Sequence, residues 1–295
     1  MKRMLAVFAV TALAGFAQQT RVSENRGMAA PGSVNYVEGQ ATLDGQPLTP
    51  QSVARPNQVI ATANGFVEVL LTPGAFLRIG PNSEARLISA GLAGVELEVN
   101  RGSALIEVAD LVNGSRLNVV MHGAGTAIQK SGLYSFDATQ QSVRVLDGKA
   151  EVTNAAGVVT LKKGNQVPLA SDQPLKKQNF ETKAAEHEPL YVWSRVRSEQ
   201  EARANFNASN SLAAGAWTGP GWYWDPYWSS YAFLPYSGFY SPFGFGFYGY
   251  PGIYRGGYGY GYRGGRYYGH VSGNFRGGAV RGGGGHAGGG RGGHR

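Results

Sequence analysis

Between residues 32 and 168 a glycine turn interrupts the chain about every nine residues, too often for a long helix to form there. The punctuation runs through Gly65, Gly74, Gly80-Pro81-Asn82, Gly91, Gly102, Gly114, Gly123, Gly132, Gly148, Gly157 and Gly164. Asp44-Gly45, Asn64-Gly65, Asn113-Gly114 and Asp147-Gly148 accept positive φ at little steric cost and read as hairpin or corner turns. Between the turns apolar residues alternate with charged ones, in Val95-Glu96-Leu97-Glu98-Val99, Val143-Arg144-Val145 and Leu77-Arg78-Ile79. That is the period of a strand with one buried face. The block is therefore expected to be mainly β, built either as a sandwich or as a coiled stack of short strands.

Lys2 and Arg3 precede an apolar run from Met4 to Ala17, and Gly15-Phe16-Ala17 supplies the small residues of a cleavage site, so residues 1–17 read as a signal peptide. This run falls short of the roughly 20 residues needed to span a bilayer as a helix, and no other stretch is long and apolar enough. The expected mature chain is exported, periplasmic or extracellular, with no transmembrane span. The sequence has no cysteine, which excludes disulfides, thiolate metal sites, a cysteine nucleophile and a lipoprotein anchor.

The net charge of +8 is unevenly placed. Residues 32–168 balance 10 Lys or Arg against 11 Asp or Glu, whereas after Asp225 there are 7 Arg and no acidic residue. Attraction to polyanions is therefore expected from the tail rather than from the β block.

Several segments of that block resemble the FecR domain pattern: Gly32-Ser33-Val34 with Gly39; Val59-Ile60-Ala61-Thr62; Phe66-Val67-Glu68-Val69-Leu70-Leu71; Leu77-Arg78-Ile79-Gly80-Pro81-Asn82-Ser83; and the closing run from Val143 through Asp147-Gly148 to Val152. The family's "G-T-x-F-x-V" element is present in altered form, as Gly125-Thr126-Ala127 and then Gly132-Leu133-Tyr134-Ser135-Phe136. The resemblance implies a β-solenoid-like stack over 32–168. It also implies a role in contact with other envelope proteins, since FecR proteins of iron uptake join an outer-membrane transporter to a cytoplasmic sigma factor. With only Met1, Lys2 and Arg3 ahead of the apolar run, no direct contact with a sigma factor is expected here.

Residues 169–188 have the composition of a polar linker, and a helix is expected over 189–206. Pro189 suits its first turn, Leu190, Trp193 and Val196 would share the face packed on the β block, and Glu199 with Arg203 forms an i,i+4 pair. Residues 207–250 form an aromatic, Gly- and Pro-rich segment; from Trp217 to Tyr250, 16 of 34 residues are Trp, Tyr or Phe. Residues 251–295 form a Gly, Tyr and Arg tract that cannot bury a core and is expected to be disordered.

Nothing in this sequence reads as a reaction centre. Of five histidines, His270, His286 and His294 fall in the low-complexity tail, and His122 and His187 lack the spacing of a triad or metal site. No enzyme activity, cofactor or metal is therefore expected. Two readings of function stay open. One is a protein-interaction or adaptor module for another envelope protein. The other is a structural or adhesive protein that holds anionic polymers or glycans, with Trp217, Trp222, Trp224 and Trp228 stacking on sugars, or else capping the β block. In that reading Arg255, Arg263, Arg266, Arg276, Arg281 and Arg291 contact the anions.

Overall fold

The computed structural model describes residues 29–249, apart from 51, 92, 112–114, 170–172 and 212–218. Residues 1–17, read above as a signal peptide, together with Asn113-Gly114, Trp217 and the tail with its arginines, lie outside the described residues.

The chain weaves between two open sheets. Strand β1 (Val34–Glu38) lies in the first; β2 (Ala41–Leu43), β3 (Gln46–Pro47) and β4 (Val59–Thr62) lie in the second. β5 (Phe66–Leu70) and β6 (Ala75–Ile79) return to the first sheet, and β7 (Glu84–Gly91) and β8 (Gly94–Arg101) to the second. β9 (Ser103–Val108) is in the first, followed by β10 (Arg116–Met121) and β11 (Ala124–Ile128) in the second. The first sheet then takes β12 (Gly132–Asp137) and β13 (Ser142–Asp147), the second β14 (Lys149–Asn154) and β15 (Gly157–Lys162), and the first β16 (Asn165–Pro168) and β17 (Gln178–Asn179). The spatial orders are β1-β5-β6-β9-β12-β13-β16-β17 and β15-β14-β11-β10-β8-β7-β4-β2-β3. Among these pairs only β8 with β10 is parallel, so the mainly β expectation takes its sandwich form rather than the parallel ladder of a coil.

Turn chemistry sets the two-residue hairpins within the second sheet. Asp44 and Gly45 both have positive φ (49° and 78°) and close the β2–β3 hairpin in two residues, while His122 and Gly123 (49° and 74°) do the same for β10–β11. The core lies between the sheets, with Val67, Leu77, Ile106, Tyr134 and Val143 from the first meeting Leu97, Val119 and Val152 from the second. In β8 the alternation reads as expected, with Val95, Leu97 and Val99 buried and Glu96 and Glu98 half-buried on the outer face.

The first sheet departs from that expectation, because its second face is covered as well. The segment between the β block and the helix contributes β17 and a short helix, α1 (Thr182–Ala185). Helix α2 (Pro189–Ser211) then crosses the outer face of the first sheet. It begins at the expected proline and carries the Glu199–Arg203 pair, at 2.6 Å. Its buried face is not the expected Leu190, Trp193 and Val196 stripe, however, since Val196 is exposed and the stripe stops after one turn. In its place Ser194, Arg197, Ser198, Glu201, Ala202, Asn205 and Ser209 are buried, because the sheet beneath presents charges.

The aromatic segment completes this third layer. It forms two hairpins, β18 (Gly221–Asp225) with β19 (Ser230–Leu234) and β20 (Phe239–Tyr240) with β21 (Gly246–Phe247). Trp222, Phe233 and Phe247 pack on Leu70 and Phe76 of the first sheet, on Ala109 just past β9 and on Ala202 of α2, covering the sheet's face rather than its end. Asn205 ties the hairpins to the helix, its Nδ2 donating to the carbonyls of Phe233 (2.7 Å) and Tyr248 (2.9 Å) while its Oδ1 accepts from Tyr248 N (2.7 Å).

Candidate functional site

Alternation places Glu68 on β5, Arg78 on β6 and Glu107 on β9 on the same outer face, with Glu68 directly opposite Arg78 across the ladder. A bulge in β1 between Val34 and Tyr36 inserts Asn35 and turns it and Tyr36 both toward the outer side, whereas Val34 remains in the core. Helix α2 closes over this row and brings Arg197 and Glu201, one turn apart, into it.

The result is a buried network of charge. Arg78 Nε donates to Glu68 Oε2 (2.9 Å) and its Nη1 to Glu107 Oε2 (2.5 Å). Arg197 Nη2 donates to Glu68 Oε1 (2.8 Å) and to Glu201 Oε1 (2.9 Å). Asn35 Nδ2 donates to the same two oxygens, at 3.1 and 2.8 Å, and its Oδ1 accepts from Tyr231 N of β19 at 2.8 Å. Ser198 Oγ donates to Glu107 Oε1 at 2.7 Å.

The carboxyls respond differently. Burial pushes Glu68 up, but the guanidiniums of Arg197 and Arg78 outweigh it and hold this carboxyl at about 2. Burial, and then the charge of Glu68 beside it, push Glu201 well above the usual carboxylate range, and the hydrogen bond it donates to Glu68 when protonated adds to this. Burial also raises Glu107, against the pull of Arg78. Such a network contributes little net stability, since desolvation offsets much of the attraction.

Beside the network lies an open cleft of about 470 Å³ between the first half of α2 and the β1 edge. Its walls are Tyr36 and Phe66 from the sheet and Val192, Trp193 and Val196 from the helix. Trp193 stacks on Phe66 (4.9 Å between centroids, 12° between planes), and its Nε1 donates to Glu38 Oε2 at 2.8 Å. Val192 and Val196 are each 49% exposed along it. Arg197 belongs to both sites, because its guanidinium lies over the Tyr36 ring. This cleft was not legible in the sequence; the one available signal is that Trp193 and Val196 continue an apolar pattern that the rest of the helix lacks.

The aromatic residues singled out from the sequence are dispersed. Trp222 is 1% exposed, edge-on to Phe76 at 5.0 Å, Trp224 is half-buried against Tyr231, and Trp228 is exposed beside Tyr227 at the β18–β19 turn. Asp225 Oδ1 caps that turn, accepting from Tyr227 N at 2.9 Å. His122 sits in the β10–β11 turn, with Nε2 2.8 Å from the Ala138 carbonyl.

No family model and no curated protein matches this chain. Similar solved structures include two described as candidate anti-sigma factors from Parabacteroides distasonis ATCC 8503. One is 19% identical with a TM-score of 0.38, over 43% of this chain and 62% of that one. The other is 16% identical with a TM-score of 0.38, over 59% of this chain and 96% of that one. The chain thus spans less than two thirds of the first of these structures.

Proposed function

We propose that this chain is a non-enzymatic, exported interaction module that joins another protein of the cell envelope through the cleft between α2 and β1. The observation that carries this reading is the pairing of the stacked Phe66–Trp193 rings with two exposed valines on helix α2. Trp193, Tyr36 and Arg197 at the cleft are residue types in which protein-contact hot spots are enriched, and the valines add apolar surface beside them. The charged groups nearby hold one another, and Glu38 accepts from Trp193, so these polar contacts hold the cleft's wall together. The FecR-like segments and the signal-like start of the sequence agree with an adaptor outside the cytoplasm.

Affinity capture from detergent-solubilised envelope tests this, with the full chain and its Val192→Asp/Val196→Asp variant as baits. Both substitutions fall at exposed positions, so the variant is expected to fold. Recovery of one specific protein by the wild type and its loss by the variant is expected; equal recovery by both overturns the reading.

A second reading, adhesion to glycans or anionic polymers, is favoured by the outward aromatic residues Tyr227, Tyr236, Tyr240 and Tyr248 with Trp228. It predicts capture of polymer by both baits, released as salt rises.

A further inference from the structure

Glu68, Glu107 and Glu201 face two guanidiniums, those of Arg78 and Arg197, and none of these five side chains is more than 6% exposed. With every carboxyl ionised the set holds one uncompensated negative charge, which a low-dielectric interior tolerates poorly and a proton removes. Among the described residues, the surrounding groups supply no further cation. β1 contributes Asn35, β19 the Tyr231 backbone, the segment before β21 Ser241, and α2 itself Ser194 and Ser198; the Tyr36 ring covers Arg197.

Hydrogen bonding singles out the carboxyl that takes the proton. Both oxygens of Glu68 and both of Glu107 accept from described donors. Glu201 accepts through Oε1 alone, and its buried Oε2 receives no hydrogen bond from a donor among the described residues. Glu68 and Glu201 also draw on the same Asn35 Nδ2 and the same Arg197 Nη2, which sets the two carboxyl groups side by side.

We propose that Glu201 carries a proton shared with Glu68, and that its loss unlatches α2 from the first sheet and dismantles the cleft that α2 helps to form. Deprotonation leaves two adjacent carboxylates competing for one amide and one guanidinium, and the strain is relieved when α2 lifts and Glu201 reaches water. The interface suits such opening, since its centre is polar on both sides; Asn35, Glu68, Arg78 and Glu107 on the sheet oppose Ser194, Arg197, Ser198 and Glu201 on the helix. The raised position of Glu201 agrees with this assignment. As a control on partner binding, the latch rests on the cleft being the contact surface; as a property of the fold, it stands without any partner.

Two measurements on the full chain test it, and neither involves a partner. Infrared difference spectra of protein labelled at its glutamates should contain a carboxylic-acid carbonyl band near pH 7 that is absent from Glu201→Gln. Hydrogen exchange of residues 189–211, corrected for intrinsic rates, should show opening that rises by up to about tenfold per pH unit above about pH 5 in the wild type and stays flat in Glu201→Gln. Absence of the acid band from the wild type, or superimposable exchange profiles, would overturn the latch. The wild-type band decides even if the variant folds poorly. A functioning latch combined with equal capture by the valine variant would leave the shared proton in place and refute the cleft as the contact surface.

Discussion

The guanidinium carbon of Arg197 stands 4.1 Å from the centre of the Tyr36 ring while its Nη2 holds Glu68 and Glu201. One side chain thus forms a wall of the open cleft and the centre of the buried network. Disturbance of the network therefore reaches the cleft directly through Arg197 as well as through the seating of α2.

Replacing Arg197 with alanine leaves Glu68 and Glu201 buried without their shared cation and removes the cover of Tyr36. Breaking a buried pair in this way costs about 3–5 kcal/mol. Urea denaturation should register that loss with little change in the slope of the transition, whereas Arg203→Ala, at an exposed pair on the same helix, should fall within about 1 kcal/mol of the wild type.

Acid should loosen the same interface by a different route. Glu68 is held at about 2 against an ordinary 4.5, so its contribution is present above about pH 4.5 and is lost as the pH falls toward 2. Glu201 has the opposite sign: its contribution is whole below about 4.5 and declines as the pH rises toward its elevated value. Stability followed by circular dichroism across the acid range should therefore fall below about pH 4.5, and Glu68→Gln should be weaker at neutral pH but flatter across that range.

Trp222 packs edge-on to Phe76 and against Phe233 under the hairpins. Trp222→Ala should cost about 3–5 kcal/mol. Trp228→Ala, at the exposed turn, should change stability by about 0.5 kcal/mol or less, and Trp228 should be oxidised by a tryptophan-directed reagent well before Trp222.

Gly65 meets the backbone of β1 where the cleft begins. A Cβ placed there would stand 2.2 Å from the Glu38 carbonyl oxygen, so Gly65→Ala must push β1 away from the start of β5. Weakened Trp193 to Glu38 bonding, visible as a shift of the Trp193 indole proton resonance, is the expected mark of that displacement.

Much of this architecture was legible in the residues and the rest was not, for one physical reason. Asp44-Gly45 states its own turn, and the alternation of β8 states which side faces the core. Glu68, Arg78 and Glu107 occupy positions that read as the wet side of a strand, because local pattern cannot register a helix arriving 90 to 130 residues later to cover them. Arg197 and Glu201 in turn read as an ordinary solvated i,i+4 pair. The informative trace was the run of Ser194, Ser198, Ala202, Asn205 and Ser209, small and polar residues along one helical face, which suits close packing on a polar surface better than exposure. The aromatic segment misled in the opposite sense, since its prolines and glycines hide two hairpins whose core is mostly aromatic rather than aliphatic.

The most direct test of the cleft as a contact surface is photocrosslinking in cells that make the full chain with a benzophenone side chain at position 196. A discrete adduct with another envelope protein, absent when the same side chain is placed at position 228, is the result the account predicts. Adducts from position 228 alone, or none from either position while the aromatic surface retains polymer, would contradict it.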